Sequence, residues 1–279
     1  MRRISSKFVL HHYSDGGFDM KIAILYICVG NYHVFWKDFF LSAEKYFLPN
    51  VDKDYFVFTD SKHIFQEDNT HIIKVYQDDL GWPKNTLLRY HLFDSQYEKL
   101  KTYDYLVFFN ANCLFVDTIS ILDFLPVAED LVFVNHPIFY DKSNMEFTYE
   151  RNPKSTAFIP FGEGTHYISG GVNGGKAAAF LSMAKELRSC VDHDSENNVI
   201  ALWHDESHIN KYALNHPNYR LLDASFFFPE GWEGPFIPKI VAREKSKYIN
   251  VDKLKNHKVG LKHRIKHLLR RITKRMVKF

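Results

Sequence analysis

The sequence predicts an α/β fold in which a mostly parallel central sheet is covered by helices. The first observation behind this prediction is a set of short apolar runs that are nearly continuous, such as residues 21–29 and 105–109. Such runs are typical of strands that are buried on both faces. The second observation is that segments with apolar residues at helical spacing alternate with these runs. Because parallel strands end at one edge of their sheet, we expect ligands to bind at that edge.

Four strands and two helices are predicted in the first half of the chain. The strands lie at residues 21–29, 55–59, 71–76 and 105–109. The helices are predicted at about 35–48 and 85–99, and a proline, Pro49, ends the first of them. Asn110 and Asn112 directly follow the last strand, so we expect them at the ligand-binding edge.

The second half of the chain has a less regular pattern. Polar loops and glycines cluster after Pro137, most densely in residues 161–175, and helical spacing returns at 176–188 and 205–214. Neither an internal repeat nor an interdomain linker is visible, so one domain is predicted at residues 20–252. The two flanking segments are predicted to be a leader at residues 1–19 and a basic C-terminal tail at residues 253–279.

Charge is unevenly distributed along the chain. Its 279 residues contain 36 Lys and Arg against 33 Asp and Glu, and nine of the basic residues lie in residues 257–279, which contain no carboxylate. The rest of the chain is therefore slightly acidic and a poor nucleic-acid binder. In the tail, apolar residues recur every three or four positions from Leu261 to Phe279. This pattern predicts an amphipathic helix that docks on an anionic membrane surface, with nucleic-acid binding or a merely solvated basic end as alternatives.

The cysteine content and the hydropathy pattern bear on where the protein is located. Cys28, Cys113 and Cys190 are too few for a disulfide framework and lack the CxxC spacing of a thiolate metal site. No apolar run approaches the roughly 18 residues that span a bilayer, and the N-terminal sequence does not resemble a secretory signal. We therefore predict a cytoplasmic protein that its tail holds peripherally on the inner face of the membrane.

The sequence WHDESH is the densest polar cluster in the chain and begins a predicted helix. One interpretation is structural: Asp205, or the serine two residues later, caps the helix, and Glu206 lies in its first turn, where the helix dipole favours a carboxylate. The other is zinc binding, because His204 and His208 are four residues apart, as in HExxH peptidases, and Glu230 is available as a third ligand.

Two further features each allow two interpretations. The glycines of the second half form either turns and bulges or a surface that a ligand can approach closely. These are Gly170, Gly171, Gly174 and Gly175. Asn110 and Asn112 are either turn formers or weak ligands, because neutral amide oxygens bind a divalent cation less strongly than carboxylates do.

Several segments together resemble glycosyltransferase family 6, which includes the blood-group A and B transferases and shorter bacterial homologues. The matching segments are NYHVFWKDFFLSAEKYF, the NAN after YLVFF, FTYER, IPFGEG, YISGGVNGG and WHDESHINKY, in this order over residues 21–250. The resemblance implies a GT-A fold with a single catalytic domain, a UDP-sugar donor, transfer to the 3-hydroxyl of a galactose, and retention of the α configuration.

The resemblance also implies roles for individual residues. Glu206 corresponds to the carboxylate at the anomeric carbon of the donor, acting as a nucleophile or as a stabiliser of an oxocarbenium-like transition state. Asp205 is expected to contact the donor sugar and orient the helix, and Trp203 is expected to pack on a sugar face. The uridine-contact region of the family corresponds to Ile27, Val29 and Tyr32.

The metal-binding motif of the animal enzymes is changed in this chain. Those enzymes carry a DxD motif that holds Mn²⁺ against the UDP diphosphate, and Asn110 and Asn112 stand at its two positions here. Without these carboxylates the diphosphate is not repelled, so basic side chains can stabilise the leaving UDP directly. We therefore predict metal-independent transfer with no cofactor. The candidate cations are Arg89, Arg243, Lys245 and Lys247.

Donor choice in the family is made at a short segment, here called the donor stretch, which in this chain comprises Ser169, Gly170 and Gly171. Blood-group A-type enzymes have Gly at the position of Gly171, whereas galactose-using members tend to carry a larger residue. A Cβ would occupy space that the 2-acetamido group of GalNAc needs, and such an overlap costs about 1–3 kcal/mol. We predict UDP-GalNAc as the donor, with UDP-Gal as the alternative.

The segment NHPIFY resembles the HPGFY of the blood-group transferases, in which a small His leaves room for a fucose. A Fucα1,2-Gal acceptor is therefore predicted. Its predicted contacts are His136, Thr148, Trp203, Glu206, Glu230 and Trp232. A protein of another class, a glycan-binding protein that has lost catalysis, is the alternative, because the DxD carboxylates are missing.

Overall fold

The computed structural model describes residues 20–250, and its strands form two sheets. Its strands are β1 (Ile22–Ile27), β2 (Lys53–Thr59), β3 (Ile72–Tyr76), β4 (Tyr105–Phe109), β5 (Cys113–Phe115), β6 (Leu131–Asn135), β7 (Ile168–Lys176), β8 (Tyr219–Leu222), β9 (Phe228–Pro229) and β10 (Ile240–Ala242). The main sheet has seven strands in the order β3-β2-β1-β4-β7-β6-β8. Only β7 in this sheet is antiparallel to its neighbours, so the predicted mostly parallel sheet is confirmed within the described residues. The smaller sheet has the order β5-β10-β9.

Helices cover both faces of the main sheet. They are α1 (Trp36–Tyr46), α2 (Lys84–Leu87), α3 (Arg89–Ser95), α4 (Tyr97–Leu100), α5 (Ile121–Phe124), α6 (Ala177–Glu196) and α7 (Asp205–Asn215). The single helix predicted at about 85–99 is in fact the three short helices α2, α3 and α4. They are separated at Leu88 and Gln96, where ψ opens to about 15° and 14° and interrupts the regular helical turn.

The strands separate two apolar cores, as their nearly continuous apolar sequences predict. In β1, Ile24 and Tyr26 join the core under α1, which contains many aromatic rings. Ala23 and Leu25 point to the other core, beneath α3, α6 and α7. Both faces of this strand are buried, so its position in the sheet is fixed by packing on two sides.

The glycine-rich segment that looked irregular in the sequence is the central strand β7. It pairs with β4 on one side and β6 on the other. Its glycines permit close packing: a Cβ at Gly174 would lie 2.7 Å from the carbonyl oxygen of Leu106 in β4. The pairing with β6 is irregular over the first half of β7, because Phe133 pairs with Asn173 but Asn135 pairs with Ile168. A bulge therefore falls on the Ser169–Gly171 stretch.

Three predictions from the sequence concern segments outside or at the limits of this description. The leader at residues 1–19 and the basic tail lie outside the described residues, and the limits of the catalytic domain at 20–252 stay a prediction. Among residues 20–250, no helix is both long and apolar enough to cross a membrane.

Candidate active site

The predicted ligand-binding edge brings together the ends of two central strands and the start of α7. The N–H of Asn110, directly after β4, donates to the carbonyl of Gly171 at 2.8 Å. The residue before Gly171 in β7 is Gly170, and its N–H donates to a carboxylate oxygen of Glu206 at 2.8 Å. The NAN motif, the donor stretch and the WHDES carboxylates, which are far apart in the sequence, therefore meet at one edge of the sheet.

Glu206 is held by two hydrogen bonds, one to each oxygen of its carboxylate. Its Oε2 accepts from Gly170, and its Oε1 accepts from the hydroxyl of Tyr167 at 3.2 Å. Burial raises the pKa of Glu206, and the two hydrogen bonds and Arg89 oppose this effect because they favour the charged form. A carboxylate with this combination of burial and fixed donors is suited to stabilise positive charge on a ligand.

Arg89 and Asp205 form a buried ion pair behind Glu206. The Nη2 of Arg89 lies 2.8 Å from Oδ2 of Asp205, and its Nη1 donates to the carbonyl of Gly170 at 2.8 Å. The guanidinium also stacks over Phe108, with its Cζ 4.3 Å from the ring centroid. Burial raises the pKa of Asp205 to about 7, although Arg89 lowers it. Arg89 thus links the start of α7 to β7 and fixes the orientation of the helix.

The missing side chain of Gly170 makes this arrangement possible. A Cβ there would lie 3.1 Å from Cβ of Glu206 and 3.3 Å from Oδ2 of Asp205. The glycine therefore lets the strand lie against the carboxylate pair without the tight contacts that a Cβ would make. The bulge is one of the two roles that the sequence offered for the glycines, and the close approach of a ligand stays a prediction.

The neighbouring donor-stretch residues face different surroundings. Ser169 is fully buried, and its hydroxyl accepts from the N–H of Gly171 at 3.3 Å within the bulge. Gly171 packs against the ring of Phe227, which is half-buried. Sequence analysis did not single out Phe227.

The two amides of the NAN motif do not fit a divalent cation. The Nδ2 of Asn112 donates to the carbonyl of Arg243 at 2.7 Å. This hydrogen bond holds the side chain of Asn112 against the main chain at Arg243. Its Oδ1 is buried and accepts no hydrogen bond from the described residues. Asn110 is half-buried and neutral. The hard anionic oxygens that bind Mn²⁺ or Mg²⁺ strongly are absent from both positions of the motif.

The predicted cations near the C-terminal end of the described chain have different partners. Arg243 is buried, and its Nη1 binds Asp38 at 2.7 Å. The ammonium of Lys247 binds Glu230 at 2.9 Å. That of Lys245 lies 5.4 Å from the ring centroid of Tyr32, which brings a cation to the predicted uridine region.

The three residues of that uridine region lie at and just beyond the carboxyl end of β1. Ile27 ends the strand and is half-buried, and Val29 is buried. Tyr32 is half-buried, and its N–H donates to the carbonyl of Val29 at 3.2 Å. Gly30 between them has a φ of +57°, a left-handed turn that favours glycine.

The predicted acceptor residues include a chain of hydrogen bonds that ends at Glu206. The indole N–H of Trp203 donates to the hydroxyl of Thr148 at 3.0 Å, and this hydroxyl donates to that of Tyr167 at 3.4 Å. Tyr167 in turn donates to Glu206. The resemblance had pointed to Trp203 and Thr148, but Tyr167, which joins them to the carboxylate, was missed.

The remaining acceptor candidates each have their own neighbours in the structure. The ring of His136 packs against Tyr167, with centroids 5.5 Å apart, and burial lowers the pKa of His136 to about 4. Trp232 packs on Phe228 at 4.8 Å. Glu230 forms the ion pair with Lys247 and also accepts from the N–H of Glu244.

The two histidines of the zinc-binding interpretation have separate partners. His204 packs its ring against Trp82, with centroids 5.0 Å apart. His208 is buried, with its ring nitrogens 3.5 Å from the Thr156 hydroxyl and 3.7 Å from Asp194. In the part of the chain that the structure describes, no three His, Cys, Asp or Glu side chains form a group that suits a metal ion.

Comparison with known proteins connects this geometry to one family. The family description "Glycosyltransferase family 6" matches residues 7–254. The chain is 34% identical over 238 residues to the O-antigen biosynthesis glycosyltransferase WbnI of Escherichia coli, which covers 84% of this chain and all of that protein. It is 29% identical to the histo-blood group ABO system transferase 1 of Rattus norvegicus, over 85% of this chain and 67% of the relative. It is also 26% identical to the globoside alpha-1,3-N-acetylgalactosaminyltransferase 1 of Homo sapiens, over 76% of this chain and 62% of the relative.

Proposed function

The chain belongs to glycosyltransferase family 6, and from this premise we propose that it transfers GalNAc from UDP-GalNAc to the 3-hydroxyl of the galactose in a Fucα1,2-Gal acceptor. The transfer retains the α configuration and needs no metal ion. The observation that carries the proposal is the position of Glu206, bound to Gly170 at the edge where the NAN motif, the donor stretch and α7 meet.

The chemistry follows from where charge develops. When the bond between the anomeric carbon and the diphosphate oxygen breaks, its electron pair leaves with UDP, and the sugar carbon becomes positive. An ionised carboxylate beside that carbon stabilises the transition state more than the ground state. Glu206 fills this role, and the Arg89–Asp205 pair holds the helix that carries it.

Metal independence is supported by the chemistry of the NAN motif. Two neutral amides leave the UDP diphosphate without an anionic neighbour at these positions, and one of them is tied to the carbonyl of Arg243. Negative charge that develops on UDP is then balanced by cations. Lys245, beside Tyr32, is the cation whose position favours this role most.

The donor and the acceptor are supported by the resemblance and by two relatives. GalNAc transfer is the activity in the name of the globoside relative, and the ABO relative is named for the histo-blood group system. In this chain Gly171 supports GalNAc, and the half-buried His136 beside Tyr167 supports a fucosylated galactose.

The experiment is a transfer assay with 2′-fucosyllactose and either UDP-GalNAc or UDP-Gal, in EDTA and in Mn²⁺. We expect an α1,3-linked GalNAc product in EDTA, identified by the anomeric coupling in its proton NMR spectrum. Product only with Mn²⁺ would refute metal independence, and faster transfer of galactose would refute the donor assignment.

Substitution of the carboxylate tests the role of Glu206. Glu206→Gln is expected to lower kcat by at least about 10²-fold, because it removes the negative charge but keeps the shape. Glu98→Gln, at an exposed position on α4, is the matched control. UDP and glycan binding without turnover in the wild type would instead support the glycan-binding alternative.

The tail gives a second, separable proposal about location. We propose that residues 257–279 dock the enzyme peripherally on the inner face of a membrane, because nine basic residues accompany an apolar stripe there. Sedimentation with anionic vesicles should remove the full chain from the supernatant but leave a chain that ends at residue 256 in it. High salt should release the full chain from the vesicles. Equal binding of the two chains would refute this proposal.

A further inference from the structure

Phe227 occupies the space that a side chain at residue 171 would need. A Cβ built on Gly171 would lie 2.3 Å from Cζ of Phe227, 2.5 Å from Cε2 and 2.9 Å from Cε1. All three distances are far shorter than ordinary van der Waals contact, so a Cβ and the ring cannot both hold these positions. The outer edge of the Phe227 ring is therefore packed directly on the backbone of the donor stretch.

The two central glycines of the donor stretch face different neighbours. A Cβ at Gly170 would meet Glu206 and Asp205, whereas one at Gly171 would meet the ring of Phe227. A Cβ at residue 170 would therefore make tight contacts with the two carboxylate residues. Gly171 is required for the position of an aromatic side chain that is half-buried, with the rest of its surface open to solvent.

Phe227 is also next in the chain to a residue that packs on a predicted acceptor residue. It ends the short 3₁₀ segment Ala224–Phe227, and the next residue, Phe228, packs on Trp232 with ring centroids 4.8 Å apart. Phe226, on its other side, is buried against Phe124. The flanking residues are thus anchored in packing, while the ring of Phe227 is the part of this segment that adjoins Gly171.

We propose that Phe227 is a specificity-determining residue, whose ring forms the wall of the donor-sugar pocket beside Gly171. A larger residue at 171 then changes donor choice by displacing this ring, and not by meeting the C2 substituent of the sugar directly. This inference rests on the proposed function and deepens it, because it names the side chain that transmits the effect of residue 171.

A double-mutant cycle tests the proposal, with the wild type, Gly171→Ala, Phe227→Leu and the double variant. Leucine suits this test because it lacks the Cε and Cζ atoms with which the new Cβ would overlap. The first measurement is the ratio of kcat/KM for UDP-GalNAc to that for UDP-Gal. The second is Tm without donor, which reports the clash between the two side chains independently of activity.

We expect Gly171→Ala to lower Tm and to change the donor ratio by about 10-fold or more, in the range of a steric overlap. Adding Phe227→Leu should recover most of the Tm and bring the ratio back towards that of the Phe227→Leu variant alone. Phe226→Leu is the matched control, since Phe226 packs on Phe124, and it should recover neither quantity.

The outcomes separate this inference from the proposed function. If Gly171→Ala changes the donor ratio by the same factor whether residue 227 is Phe or Leu, the ring does not transmit the effect and the inference is overturned. If the wild type transfers neither sugar, the proposed function itself fails. Recovery of both Tm and donor ratio in the double variant supports the inference.

Discussion

Asn112 and Arg243 join two distant segments of the chain through a reciprocal pair of hydrogen bonds. The side-chain amide of Asn112 donates to the carbonyl of Arg243 at 2.7 Å, and the N–H of Arg243 donates to the carbonyl of Asn112 at 2.9 Å. The second asparagine of the NAN motif therefore positions the segment that begins at Arg243 and continues to Lys245. An aspartate could not make the first of these bonds, because a carboxylate has no hydrogen to donate.

Asn112→Asp is expected to destabilise the protein and to lower its activity. The new carboxylate would face the Arg243 carbonyl, and loss of a buried hydrogen bond of this kind costs about 1–3 kcal/mol. The measurements are the free energy of unfolding in urea and transfer in EDTA or Mn²⁺. We expect Mn²⁺ to leave the activity below that of the wild type.

Asn110→Asp is the matched control for this substitution, because Asn110 is half-buried and is bound to Gly171 through its main chain. It should cost less stability than Asn112→Asp. An Asn112→Asp protein as stable as the wild type would show that the hydrogen bond to Arg243 contributes nothing measurable.

Arg89 is expected to be irreplaceable by lysine. Its guanidinium contacts Asp205 and the Gly170 carbonyl at the same time, and its flat face stacks on Phe108. Lysine keeps the charge, but its ammonium cannot make both contacts at once and has no flat face to stack on a ring. Arg89→Lys should therefore lower kcat/KM by about 10-fold or more. Arg89→Met, which leaves Asp205 buried without a partner, should lower the free energy of unfolding by about 3–5 kcal/mol.

Arg188→Lys is the control for the Arg89 variants. Arg188 makes its ion pair with Asp94 at a partly exposed position, where such pairs contribute little. Its variant should keep nearly the full stability and rate. An Arg89→Lys protein with unchanged kcat/KM would contradict the role assigned to the two-point contact.

The sequence predicted the strands with continuous apolar patterns better than it predicted β7. The predicted strand at 105–109 coincides with β4, because packing on both faces leaves an unmistakable apolar run. β7 contains four glycines, which have no side chains to form an apolar pattern, so the sequence did not predict a strand there. Its pairing with β4 and β6 identifies it as a strand. The 85–99 segment has helical spacing throughout, yet irregular turns at Leu88 and Gln96 divide it, and the spacing gave no sign of them.

The same distinction applies to the site. Family motifs identified Glu206, Asp205 and Arg89, but the ion pair between the last two joins residues that are far apart in the sequence. Tyr167 was missed although it begins the matching segment YISGGVNGG, because the sequence does not show which residues of that segment contact the carboxylate. Only the fold shows that its hydroxyl lies between Thr148 and Glu206.

The rate of transfer is expected to rise with pH up to about 7. Burial raises the pKa of Asp205 to about 7, and a protonated Asp205 no longer pairs with Arg89 as an anion. The pH profile of kcat/KM should therefore show an ascending limb near pH 7. In Asp205→Asn this limb should be absent and the plateau lower, whereas Asp130→Asn, at a partly exposed position paired with Lys176, should keep the limb.

The contribution of Asp205 to the free energy of unfolding should decrease with pH, whereas the rate of transfer increases. The ordinary pKa of an Asp is about 3.9, so between about pH 4 and pH 7 the folded state binds a proton at Asp205 that the unfolded state has released. The contribution of Asp205 to the free energy of unfolding therefore falls as pH rises through this range. Urea unfolding of the wild type and Asp205→Asn at several pH values measures it, and a wild-type contribution that grows with pH would contradict the assignment.

Tyr167→Phe should impair catalysis while preserving the fold. The substitution removes the hydroxyl that donates to Glu206 and accepts from Thr148, but it keeps the ring stacked on Tyr149, with centroids 5.3 Å apart. Because the Tyr167 hydrogen bond lowers the pKa of Glu206, its loss should raise that pKa further and move the acid side of the kcat profile to higher pH. We expect kcat to fall by a larger factor at pH 6 than at pH 8. Tyr149→Phe is the control, since its hydroxyl donates to the carbonyl of His166; an equal loss at both pH values, or the same profile in both variants, would show that Tyr167 does not act through the charge of Glu206.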